Sequence, residues 1–322
     1  MSKVIVTGCA GMIGSNACRA ILSSGRKVLG IDNFYRGLQK NVESLASDPG
    51  FEFMHYDLAC DDGWNRAIDS EDTVIHIADV VAGIGYVFAN EFSVFQKNNL
   101  INSRVASAVS RRPPGKVIYL GTACSYPQSA QLSVTESGLD EDMKFPADPE
   151  SGYGWSKLIG DIELGLLAKM QLFQYVSLDL HNVYGWPCVY EGPSTQVMPA
   201  LISRAFDEEI LTVWGDGAQG RAFLHVDDVA RAILAALSYD GEVSSFMVGP
   251  DKCTTIAELA KLIVENPSTR AREVAFDTSK PTGDIGRFSK SSRSRDLLGW
   301  TPTVTLEDGV ASLIARIGSS RG

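Results

Sequence analysis

The sequence is short of paired cysteines, of positive charge and of long apolar runs. Its six cysteines are Cys9, Cys18, Cys60, Cys124, Cys188 and Cys253. They form no C-x-x-C pair and stand near no His or Cys at metal-ligand spacing. That argues against a disulfide framework and against a structural metal, and for reduced thiols in a cytoplasmic protein. No stretch reaches the ~18 apolar residues of a membrane span. The opening "MSKVIVTG" enters a strand at once, without a signal peptide's apolar core, so no membrane partner is expected. Lys and Arg number 29 against 39 Asp and Glu, a formal net charge of −10. A surface of that sign disfavours nucleic acid and anionic lipid as partners. Any anionic ligand must be held by a few placed arginines and by backbone amides.

What is present is an ordinary globular composition, 44% hydrophobic and 21% charged over 322 residues, enough for one large α/β domain or two sharing the chain. "KVIVTG" (3–8) reads as a strand, "GMIGSNACRAILSSG" as a helix ending at Gly25, and "KVLGID" as a second strand. "FEFMHYDL", "TVIHIAD" and "KVIYLGT" are further apolar, β-branched runs, and helical patterns at 90–111 and 153–170 separate most of them. This alternation predicts right-handed βαβ units, hence a Rossmann-type doubly wound parallel sheet. After "YVSLDLHNVYG" the texture changes to loops rich in Gly, Pro and Trp, with helices at 226–238 and 254–265. A smaller, interleaved C-terminal α/β domain is expected. The division is 1–182 plus about 222–248 for a nucleotide-binding domain, and 183–221 plus 249–322 for a substrate domain.

"TGCAGMIG" places Gly8, Gly11 and Gly14 between the first strand and first helix. Such glycines let the backbone approach a pyrophosphate seated on the helix's amino end, with Met12 and Ile13 in its first turn. A tight strand–helix turn would use the same glycines. The second strand ends in "GIDNF", so Asp32 lies about 20 residues further on, followed by Asn33. A carboxylate there either caps a turn or bonds the ribose hydroxyls, and it repels a 2′-phosphate, which favours NAD over NADP. Asp57 and Leu58, after the third strand, and Ile77 and Ala78, at the end of the fourth, complete the expected cofactor contacts.

The chemical end is carried by "YGWSK", with Tyr153 and Lys157 four apart on a helix and so on one face. A free phenol ionises near 10 and is a poor base at neutral pH. A neighbouring ammonium and a positive nicotinamide both favour the phenolate, so the pair predicts a lowered Tyr153 in the presence of the cofactor and a Lys157 that also reaches the cofactor ribose. "GTACSYP" adds a hydroxyl, Thr122, and a thiol, Cys124, at a strand's carboxyl end. Packing alone would account for a cysteine there; so would chemistry.

Taken together, "TGCAGMIG", "GIDNF", "GTACSYP", "YGWSK", "HNVYG", "WGDGAQGRAFLHVDDVA" and "LGWTP" resemble the extended short-chain dehydrogenase/reductase family, specifically its nucleotide-sugar epimerases, dehydratases and reductases. The resemblance covers nearly the whole chain. It implies an enzyme with NAD as cofactor, a nucleotide-diphosphate sugar as substrate, and a homodimer. It also implies oxidation of a sugar carbon, usually C4, with Tyr153 as base, Thr122 as its hydrogen-bonding partner and Lys157 on the ribose. Ala123 and Cys124 stand where the family's 4,6-dehydratases carry Asp and Glu, which disfavours that reaction. "GTACSYP" is instead similar to the GDP-mannose 3,5-epimerase and GDP-fucose synthase branches, where this cysteine is an acid/base beside a ketone. "ADVVAGIGYV" (78–87) resembles the substrate loop of the former, bringing in Gly83 and Gly85. The chain departs from those epimerases in "STQVMPALI": Gln196 and Val197 replace a second acid/base, and neither carries a proton at a useful pKa. Arg221 matches the family's diphosphate clamp, Arg287 a second one, and Asn182 a substrate contact. An epimerase follows as the leading expectation, with a 4-keto-sugar reductase or a non-catalytic NAD-binding regulator behind it.

Overall fold

The computed structural model describes residues 2–81, 83–131, 134, 138–170, 172–192, 194–280 and 285–321. Seven strands form one sheet: β1 (Lys3–Thr7), β2 (Lys27–Asp32), β3 (Phe51–His55), β4 (Thr73–His76), β5 (Lys116–Thr122), β6 (Gln174–Leu180) and an edge strand Ser245–Val248. Their order is the edge strand, β6, β5, β4, β1, β2, β3, and every pairing is parallel. The Val- and Ile-rich runs suit this, because a parallel sheet is covered on both faces; all seven residues of β5 are buried. Side chains alternate. Val4 and Val6 face the helices Met12–Ser23 and Val226–Ser238. Ile5, Val74 and Val117 face Glu91–Arg111 and Gly152–Lys169.

A second core gathers Met198, Leu201, Leu211, Ile256, Leu259 and Leu313 from the later part of the chain. "YVSLDLHNVYG", the stretch before the change of texture, holds two strands: after β6 the chain leaves the sheet, and Asn182–Tyr184 pairs instead with Phe223–His225. β4 stops at His76, because the next two amides, of Ile77 and Ala78, donate to the Thr7 hydroxyl at 3.1 and 3.2 Å. Among the described residues no helix is long and apolar enough to cross a membrane.

Candidate active site

The carboxyl ends of β1, β2, β4, β5 and β6 open into a cavity of about 1100 Å³, the place where open α/β sheets bind ligands. Every residue singled out in the sequence lines it; only Ala82 of the 78–87 loop falls outside the described residues.

At the nucleotide end the glycines are required by space. Gly8 has φ +74°, and a Cβ there would lie 2.9 Å from the main chain of Ala78. A Cβ on Gly14 would lie 2.0 Å from the Gly8 carbonyl oxygen, so the helix can press onto the turn only without one. Helix Met12–Ser23 begins at Gly11 with no side-chain cap and no acidic residue in its first turn. Its first amides are therefore open to an anion. This cradle fits the pyrophosphate of a dinucleotide. Asp32 is buried and does cap the turn: its two carboxylate oxygens accept from the Ala10 and Phe34 amides at 2.9 and 2.7 Å.

At the chemical end, Thr122 Oγ1 accepts from the Cys124 amide at 3.2 Å. Cys124 Sγ accepts from Arg287 Nη1 at 2.8 Å. Arg287 is buried; its Nε donates to Gln131 Oε1, and its Nη2 lies 3.5 Å from Glu150. The clamp expected at Arg287 thus bears on the thiol. It also stands opposite Arg221, since Gly286–Arg287 pairs in register with Gly220–Arg221. The 78–87 loop meets the 194–196 segment, where the Gly83 amide donates to the Ser194 carbonyl at 3.2 Å. Gln196 caps helix Val197–Asp207 without a side-chain hydrogen bond.

Tyr153 and Lys157 share a face as expected, but a residue that sequence reasoning passed over joins them. Tyr153 Oη donates to Asp79 Oδ2 at 3.2 Å, and Lys157 Nζ lies 3.5 Å from the same oxygen. In the unliganded chain the Tyr153 phenol stands high. Burial pushes it well above the ordinary value, and Asp79, Cys124 and Tyr119 add to the rise. Burial lowers Lys157, with Asp79 acting against it. The ammonium also sits 4.5 Å from the Tyr119 ring centroid. Behind it, His76 bridges Thr7 Oγ1 at 2.9 Å and Asn102 Oδ1 at 3.1 Å, and burial pushes its imidazole down to about 3.

Gln131 and Glu150 were also missed, as was His181, which lines the cavity. His181 is buried against Met247 Sδ at 3.1 Å and pushed down to about 3 by burial. An imidazole so reluctant to take a proton does not replace the second acid/base absent at Gln196 and Val197. Among the described residues no three His, Cys, Asp or Glu side chains group as a metal site would require.

Known proteins resemble this chain along nearly its full length. It is 26% identical to GDP-mannose 3,5-epimerase 1 of Oryza sativa subsp. indica, over 96% of this chain and 79% of the relative. It is 27% identical to a putative UDP-glucose 4-epimerase of Methanocaldococcus jannaschii, over 97% of each. Among solved structures, UDP-glucuronic acid 4-epimerase from Bacillus cereus, in complex with UDP-glucuronic acid and NAD, superposes with a TM-score of 0.83. That match is 26% identical and covers 99% of both chains. UDP-glucose 4-epimerase from Thermotoga maritima shares the fold at a TM-score of 0.86 and 23% identity, over 99% of this chain and all of that one. The sequence model of the NAD dependent epimerase/dehydratase family matches residues 4–249, and the chain is a member of that family, with NAD as its cofactor.

Proposed function

We propose that the protein is a nucleotide-sugar epimerase acting through transient oxidation at sugar C4. The observation that carries this is one cleft holding a pyrophosphate cradle at one end, Thr122, Tyr153 and Lys157 at the other, and Arg221 and Arg287 beside them. Gly8, Gly11 and Gly14 would seat the cofactor's pyrophosphate, Asp32 its adenosine ribose, and Lys157 its second ribose. NAD, when bound, supplies the hydride acceptor. Tyr153 takes the C4 hydroxyl proton and Thr122 holds that hydroxyl in place. Arg221 meets the substrate diphosphate, for which a planar guanidinium is suited. Asn182, Gly83, Gly85 and Gln196 shape the wall around the sugar.

Cys124 is placed as an acid/base for carbons beside the C4 ketone, which acidifies the hydrogens at C3 and C5. Its sulfur accepts a hydrogen bond from Arg287 Nη1 at 2.8 Å, which fixes its position at the end of the strand. The substrate is of the GDP-mannose or UDP-hexose type. A homodimer accords with an exposed apolar row on helix Gly152–Lys169: Trp155, Ile159, Ile162 and Leu166. The neighbouring helix adds Phe92 and Leu100. An uncovered apolar stripe of this kind suits a two-fold interface.

The test is proton NMR of the purified protein with GDP-mannose, and separately with UDP-glucose and UDP-glucuronic acid, in deuterated water with no added reductant. A new sugar carrying deuterium at C3 or C5 supports carbanion chemistry at Cys124. A new sugar without deuterium supports hydride return at C4 alone. Turnover of a 4-keto nucleotide sugar only when NADH or NADPH is supplied, with none of these three converted, supports the reductase. No product from any of the three means another sugar or the reductase; the regulator is separated by Tyr153→Phe, which abolishes turnover with NAD binding intact only in an enzyme.

A further inference from the structure

Asp79 follows β4, 74 residues before Tyr153, in the 78–87 stretch that the sequence marked as a substrate loop through its glycines rather than through this carboxylate. Its carboxylate nonetheless meets both reactive side chains. Oδ2 accepts the Tyr153 hydroxyl at 3.2 Å and lies 3.5 Å from Lys157 Nζ, inside the cavity and largely shielded from solvent. We propose that Asp79 is a positioning residue of the catalytic pair: it holds the Tyr153 hydroxyl as a donor, anchors the Lys157 ammonium, and so fixes the pH at which Tyr153 gives up its proton. The inference rests on the reading of Tyr153 as the base.

Burial raises the phenol first, and the charges around it add to the rise. Asp79 faces it from the loop after β4, and Cys124 and Tyr119 from β5 and its continuation; Lys157, one turn further along the helix of Tyr153, meets the same Asp79 oxygen. Lys157 is itself faced by Asp161 and Asp179. An ammonium alone would draw the phenol towards ionisation. A carboxylate sharing that ammonium cancels the pull and repels the phenolate that ionisation would create. The free chain therefore keeps Tyr153 protonated, and its Oη is aimed by the bond to Asp79 before any sugar arrives. Catalysis gains orientation and gives up ease of ionisation.

The experiment reads Tyr153 directly, on the unliganded full chain. Tyrosines are labelled with carbon-13 at Cζ, and the Tyr153 resonance is assigned by its loss in Tyr153→Phe. Its shift is then followed between pH 7 and 11 in the wild type, Asp79→Asn and Asp79→Ser. Removing the carboxylate should move the onset of ionisation down by about one pH unit or more in both variants. The acidic limb of the pH profile of kcat/KM should move the same way. An unchanged onset, or a rise, in whichever variant folds overturns the proposal. The failure of the base assignment looks different: Tyr153→Phe would keep its turnover, whatever the titration of Asp79→Asn showed.

Discussion

Lys144 sits in a buried charge cluster behind the segment that carries Thr122 and Cys124, and replacing it by Met gives a sharp test. Its ammonium is 2.7 Å from both Asp161 and Asp179. Tyr175 donates to Asp161 at 2.5 Å, and Tyr126, of the "GTACSYP" stretch, donates to Asp179 at 2.9 Å. Asp179 is 1% exposed and its Oδ1 has no hydrogen-bond partner. Without Lys144, two carboxylates remain buried with neither of their ion pairs to that ammonium, and only Lys157 is left facing both. Breaking a buried pair in this way costs about 3–5 kcal/mol, a large part of the roughly 5–15 kcal/mol that holds a domain folded. The fall in Tm should be on the order of 10 °C. The loss should also depend on pH, with a definite sign. Burial already holds the Asp179 carboxyl above its ordinary value against the pull of Lys144. In Lys144→Met that pull is gone, so the folded chain keeps a proton that the unfolded chain has released. Such a group stabilises the fold as pH falls. Urea denaturation followed by circular dichroism, at pH 7.5 and 5.5, should show the deficit shrinking in acid. Asp179→Asn added to Lys144→Met should recover at least half of it. A loss under about 1 kcal/mol at pH 7.5, or one equal at both pH values, refutes the reasoning.

Gly14→Ala puts a methyl against the Gly8 carbonyl, so the helix must retreat from the turn; NAD affinity by calorimetry should fall at least tenfold, by roughly 1.4 kcal/mol, and a change under twofold would sink the account of the cradle. Cys124→Ser should retain C4 chemistry and lose any deuterium uptake at C3 or C5, and uptake at the wild-type rate removes the thiol from the mechanism. Ile162→Glu places a charge in the exposed apolar row and should convert a dimer to a monomer by light scattering; a wild-type monomer under the same conditions refutes the interface.

Local signals were legible and distant ones were not. Gly8, Gly11 and Gly14, or Tyr153 and Lys157, act across a turn or two of backbone, so their spacing carries their geometry. β1 to β5 were legible for the same reason, because β-branched runs bounded by turns write themselves into short windows. Asp79 meets Tyr153 across 74 positions, and Arg287 meets Cys124 across 163; no window contains either pair. The carboxylate that shares Tyr153 and Lys157 was hidden for this cause, because only the fold brings Asp79 to them. The break at His181 was hidden differently, because "LDLHNVYG" is equally apolar on both sides of the point where the chain changes partners.

The strand order has a consequence for how the protein is made. β1, β2 and β3 can pair as soon as they leave the ribosome, and β4, β5 and β6 then join in order, each at the open edge beside β1 or its latest neighbour. The series halts at β6. Its outer edge waits for Ser245–Val248, more than sixty residues later. Over that interval the nascent chain presents Val176, Leu178 and Leu180 along an unpaired strand, the kind of edge that recruits other strands. A pause in translation between residues 181 and 244 is therefore the moment at which this chain is most exposed to aggregation, and the moment at which chaperone capture protects it most.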